Sequence, residues 1–268
     1  KNVDVANLDD FGRFGTSVSL NGAGDRLAVG AESDRGADKE GFDDFGAAYL
    51  FSFSDTDFSG GTLESTLGKG YTGGKNVDVA NLESSDEFGS AISLNGAGDR
   101  LAVGAQRDDG GDIVSSSVGA AYLFSFSDSD FTGGTLVSTI GKRLAGNPKD
   151  VNVGSLNSDS DSDEFGASLS LSGSGDRLAI GAPGDDGAGD AIENSGATYL
   201  FSFTDADFTG GVLESTIGKG YIGGKNVDVA NLGGFDDFGS SVSLNGAGDR
   251  LAVGAEGVSQ SVGAAYLF

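Results

Sequence analysis

The sequence predicts an all-β protein made of like units, and three observations predict it. One long phrase, FGx(S/A)xSL(N/S)GxGDRLA(V/I)GA, is written four times, from Phe14, Phe88, Phe165 and Phe238, at spacings of 74, 77 and 73 residues. Apolar residues alternate over short runs bounded by Gly-rich turns, with no helical period. Aromatic residues return at the same slots of each unit: Phe14, Phe51, Phe53, Phe58 and their equivalents. A fixed period of this size marks an array of small units that bury their apolar faces against one another.

Each unit reads as four strands. In the second, Ser90–Leu94 alternates small polar and apolar residues. Asn95–Asp99 (NGAGD) then supplies a tight turn, because Asn and Gly tolerate positive φ. Leu101–Ala105 is a short apolar run, as expected of a strand covered on both faces. After a polar loop, Ala120–Phe126 forms the strongest strand, and Thr135–Ile140 alternates again beyond the Asp128–Gly134 turn. The linker Gly68–Leu82 holds either a short fifth strand or an extended connector. The units run over about 9–82, 83–156, 157–232 and 233–268, as one repeat domain with residues 1–8 as a leading connector. The chain starts and stops in mid-repeat, so a segment of a longer product, processed or truncated at both ends, is expected.

Composition narrows the function. The 268 residues include 48 Gly but no Cys, His, Met or Trp. Packing, not disulfides, must hold the fold. The usual nucleophile–base pairs and most zinc or iron sites are excluded. A net charge of -25 opposes nucleic acid and anionic membrane surfaces. No apolar run is long enough for a transmembrane helix, so membrane insertion is not expected.

FG, a strand, a turn, LAVGA and then GA(A/T)YLF together resemble the FG-GAP repeat, and Gly181–Ala182–Pro183 even spells GAP. The resemblance covers the whole chain. It implies a β-propeller of about four FG-GAP-like four-stranded blades, with an open array of the same units as the alternative. In a closed ring, the segment Lys1–Leu8 would complete the last blade. In an open array, that blade's edge would take the next segment or molecule, head to tail. The resemblance also implies calcium loops between the first two strands. Here those loops are NGAGD or SGSGD, whose single carboxylate cannot supply the oxygen ligands of Ca²⁺.

Acidic clusters elsewhere are the calcium candidates, and no other cofactor is expected. They are Asp159, Asp161 and Asp163 in SDSDSDE, and Asp108, Asp109, Asp185 and Asp186 in the loops after the second strand. A solvated acidic loop is the plain reading of the same residues. The pairs Asp55/Asp57, Asp128/Asp130 and Asp205/Asp207 read as turn formers. The repeated Arg of the GDR turn (Arg26, Arg100, Arg177, Arg250) is expected to bind an acid of the next unit.

These features point to a non-catalytic extracellular or cell-surface protein, acting as scaffold, adhesive module or filament building block. Its expected partners are like repeat units or other copies of itself, with polysaccharide or a cell-surface protein as further candidates. The alternative is a propeller that binds a sugar or protein ligand through the variable loops 32–45, 106–118, 183–195 and 256–262.

Overall fold

The computed structural model describes residues 3, 5, 8, 10–39, 43–55, 57–110, 117–142, 144, 147–156, 162–205, 207–258 and 262–268. Four sheets carry the chain. The first joins β1 (Phe14–Leu20), β2 (Arg26–Ala31), β3 (Ala47–Ser52), β4 (Thr62–Gly68) and β5 (Val77–Asp78) in chain order. The second holds β6 (Phe88–Leu94), β7 (Arg100–Ala105), β8 (Ala120–Ser125), β9 (Thr135–Gly141) and β10 (Val151–Asn152). The third holds β11 (Ser168–Leu171), β12 (Arg177–Ala182), β13 (Ala197–Ser202), β14 (Val212–Gly218) and β15 (Val227–Asp228). The fourth has β16 (Phe238–Leu244), β17 (Leu251–Ala255) and β18 (Ala264–Leu267). They are the blades of a four-bladed β-propeller. Among the described residues, no helix is long and apolar enough to cross a membrane.

The first four strands of a blade pair antiparallel. The turn between the first two is held by one side chain: Asn95 Oδ1 accepts the backbone N–H of Gly98, Asp99 and Arg100 at 2.9–3.1 Å. The linker does form a fifth strand, two residues long and parallel to the fourth. It is pinned by side chains rather than by length. Asn76 Oδ1 accepts from Thr66 N at 2.9 Å, and Ser65 Oγ donates to the Lys75 carbonyl at 2.7 Å. Blades 1 to 3 are therefore five-stranded, one strand more than the motif count suggests. Val3 and Val5 of the leading connector pack on the first blade.

The core lies between blades. One apolar cluster joins Ala28, Ala48 and Leu50 of blade 1 to Phe88, Ile92 and Leu94 of blade 2. A second joins Ala102, Ala121 and Leu123 of blade 2 to Phe165, Leu169 and Leu171 of blade 3. A third joins Ala179 and Leu200 of blade 3 to Phe238, Val242 and Leu244 of blade 4. Edge-to-face aromatic pairs recur, such as Phe88–Tyr122, Phe165–Tyr199 and Phe238–Tyr266 at 5.3–5.4 Å.

The repeated motifs are the seams between blades. The glycine of VGA or IGA presses on the FG glycine of the next blade: a Cβ on Gly30, Gly104 or Gly181 would stand 1.9–2.1 Å from the carbonyl oxygen of Gly89, Gly166 or Gly239. That FG glycine has φ near +100° and starts the inner strand at a bulge in blades 1, 2 and 4. A line of hydrogen bonds also crosses the turns, from Gly22 N to Gly96 O, Gly96 N to Gly173 O and Gly173 N to Gly246 O, at 2.9–3.0 Å.

The Arg expectation holds at the first two seams. Arg26 meets Asp130 at 2.5 Å and Arg100 meets Asp207 at 2.8 Å, each across one seam. The acid pairs form turns as expected: Asp128 Oδ1 accepts Asp130 N and Thr132 N, and Asp205 Oδ1 repeats the pattern with Asp207 N and Thr209 N.

Candidate functional site

One slot differs in kind from the seams. The residue before each FG motif is Arg13, Glu87, Glu164 or Asp237. All four adopt φ of 53–58°, a left-handed conformation that side chains other than Gly or Asn rarely take. The geometry starts a turn: the N–H three residues on returns to this residue's carbonyl, as in Ala167 N to Glu164 O at 3.0 Å. The slot is charged in every blade.

Two of these positions line an open cavity of about 490 Å³ on the loop side of the blades. Glu164 and Asp237 line it, with Gln106, Pro183, Gly184, Asn194 and Glu256 from the loops around the second and third strands. Gln106 also ties down Glu87, donating to its Oε2 at 2.6 Å, while Arg107 pairs with Oε1 at 3.2 Å. In blade 1 the pattern is reversed, and Arg13 pairs with Glu32. Burial raises the pKa of Glu164, and Arg107 partly opposes it. Burial also raises that of Asp237, reinforced by the Glu256 carboxylate. Glu32 is raised by burial against the pull of Arg13. Such a mouth gathers carboxylates, which suits cations and hydroxyl-rich molecules. Without His or Cys, it holds none of the common nucleophile–base pairs.

The calcium candidates fall in different places. Asp159 and Asp161 lie outside the described residues. Asp163 is buried in blade 3. Asp108 accepts from the Tyr122 hydroxyl and from Gly110 N. Asp185 accepts from Tyr199 at 2.6 Å, Tyr221 at 2.9 Å and Gly187 N at 2.8 Å. Asp109 and Asp186 accept from Ser117 N and Asn194 N, which brace their own loops. Among the described residues, no three acidic groups gather in a way that could hold a metal. Asp108 and Asp109 do border a second cavity of about 460 Å³, with Glu83, Asp86 and Asp150. Burial and the neighbouring Asp108 push the Asp86 carboxyl up to about 8.

Sequence reasoning passed over the charged slot before FG. Its signal was available: a charged residue in the same place four times.

The sequence family follows from the same motifs. Residues 80–124 and 157–201 match the model of the FG-GAP repeat. The chain carries FG-GAP repeats. Each matched stretch of this FG-GAP chain runs through the FG, GDR and YLF motifs, which hold the seam residues described above. Among curated proteins, none matches the chain. Two of the solved structures that match are distant ones. Hydrazine synthase of Kuenenia stuttgartiensis matches at 9% identity and a TM-score of 0.48, over 100% of this chain and 49% of that one. Saccharomyces cerevisiae Sqt1 matches at 11% identity and a TM-score of 0.42, over 81% of this chain and 38% of that one. The FG-GAP chain thus spans half or less of either, and both likenesses are too distant to carry an activity across.

Proposed function

We propose that this FG-GAP propeller is a non-catalytic structural protein that acts outside the cell, as a scaffold or adhesive module. One observation carries the reading: the residues written into every repeat are engaged in holding blades together. The VGA and IGA glycines seat the FG glycines, the GDR arginines clasp the next blade, and the YLF aromatics fill the seams. A surface of net charge -25 keeps such a scaffold apart from nucleic acid and anionic lipid. Binding of the purified chain to cells, extracellular matrix and polysaccharide tests it. Retention on at least one of them is expected, and retention on none would overturn the adhesive role.

A second reading rests on the acidic mouth, where loops that vary between blades border one cavity. A hydroxyl-rich or cationic ligand would be held by Glu164, Asp237 and Glu256. A glycan array read with and without Glu164→Gln and Asp237→Asn decides it, because signals that survive both changes place recognition elsewhere.

A further inference from the structure

The two outer blades expose the two halves of one seam. Val18 of β1 is 64% exposed, whereas its equivalents Ile92 and Leu169 are 7% and 8% exposed against the preceding blade. Leu267 of β18 is 82% exposed, whereas Leu50 and Leu123, at the same slot, are fully buried against the following blade. Each internal seam sets the first strand of one blade on the first strands of the blade before it. Blade 4 presents the three strands that take up the first strand of the next blade at the internal seams.

The hydrogen-bonding groups match in the same way. Leu94 N, Leu171 N and Leu244 N each donate at 2.9 Å to a serine of the preceding blade: Ser19, Ser93 and Ser170. Ser243 is the next serine in that series, and Leu20 N is the donor at its start. The line of turn glycines ends on Gly246 N at one side and Gly22 O at the other. A Cβ on Gly246 would meet nothing within 4 Å, although its equivalents Gly22, Gly96 and Gly173 each lie against the next blade. Charge agrees. Arg250 is the counterpart of Arg26 and Arg100, but its side chain is 75% exposed instead of 11%. Asp57 holds the slot of Asp130 and Asp207.

We propose that blade 4 of one copy of this chain seats blade 1 of a second copy, head to tail, through the seam that already joins blades 1 to 4. Val18 and Leu20 of the second copy cover Ala252, Ala265 and Leu267 of the first, Leu20 N donates to Ser243 Oγ, and Arg250 reaches Asp57. The contact is heterologous, so it either closes into a ring of whole copies or runs on as a filament. It rests on the scaffold reading and adds the partner.

The test is sedimentation of the purified chain from micromolar to near-millimolar concentration, in about 0.15 M salt and above to screen its self-repulsion. Concentration-dependent species of two or more copies are expected. Val18→Asp spoils one face and Leu267→Asp the other, each at an exposed position that folding does not need. Each variant alone should associate about a hundredfold more weakly, since the carboxylate would be buried in the seam. Mixed together, they retain one intact pair of faces and should form a discrete one-to-one complex. Circular dichroism and unchanged melting midpoints establish that both variants fold. A wild-type chain that stays monomeric throughout, or variants that associate as it does, overturns the proposal. A folded monomer that still binds polysaccharide or matrix would sink this inference and leave the scaffold reading standing.

Discussion

Gly181 lies so close to the carbonyl of Gly239 that a Cβ added to it would stand 1.9 Å from that oxygen. No side-chain adjustment relieves such a clash, because both partners are backbone. Gly181→Ala is therefore expected to push blades 3 and 4 apart and cost more than about 3 kcal/mol. Gly246→Ala, where the space is open, should cost about 1 kcal/mol or less. Urea denaturation of both variants measures the difference, and equal midpoints would contradict the seam.

The buried carboxylates of blades 2 and 3 differ in one partner. Asp185 accepts from Tyr199 and Tyr221, whereas Asp108 has Tyr122, and Leu144 stands at the slot of Tyr221. Tyr199→Phe leaves Asp185 with a hydroxyl donor, and Tyr122→Phe leaves Asp108 with a backbone N–H. The second change should cost more, by about 1 kcal/mol. Thermal melts of the pair test this ordering.

Asp86 gives a pH signature of known sign. Its folded pKa of about 8 lies above the ordinary carboxylate value of 3.8, so between these values the folded state holds a proton that the unfolded state has lost. The stability it contributes is fully present below about 4 and is lost as pH rises toward 8. Asp86→Asn keeps an acceptor for the Glu83 N–H and removes the titration. At pH 8 the variant should melt several degrees higher than wild type, converging toward it as pH falls to 4. Parallel melting curves for the two proteins across that range would refute the assignment.

Arg100 and Asp207 contribute unequally to their pair. The arginine side chain is 11% exposed and also donates to the Asp99 and Phe126 carbonyls, while Asp207 is 64% exposed. Asp207→Ala is expected to cost less than about 1 kcal/mol. Arg100→Ala orphans buried carbonyls and should cost about 2 kcal/mol or more. A double-mutant cycle that assigned most of the loss to the ion pair would reverse this account.

Among the described residues, the fully buried hydroxyl of Thr198 has no hydrogen-bond partner. The same slot holds Ala48 and Ala121 in blades 1 and 2. Thr198→Val keeps the shape and removes the orphan, which should stabilise the chain by about 1 kcal/mol in urea denaturation. Loss of stability would show that the hydroxyl is satisfied by water.

Much of the fold could be read from residue order, because the interactions that define it are local or repeated. Ser90–Leu94 alternates and pairs as it must, the NGAGD turn closes on its own Asn, and the four phrases mark four sheets. The Asp pairs could be read as turn formers for the same reason: the N–H donors to their first carboxylate lie two to four residues away. Residue order left the linker open between a short fifth strand and an extended connector, since Val77–Asp78 is too short to carry a pattern and depends on Asn76 and Ser65 reaching across to β4. The carboxylate of Asp185 was equally opaque, for its tyrosines come from 14 and 36 residues away.

Sequence by itself determined the unit: its strands, its turns and the slots that every copy fills alike. Tertiary structure decided what each slot experiences. Phe14 and Phe88 are the same residue in the same phrase, yet Phe88 is wholly buried and Phe14 is 38% exposed. The physical reason is that burial belongs to a pair of surfaces, and a repeat specifies only its own half of each contact.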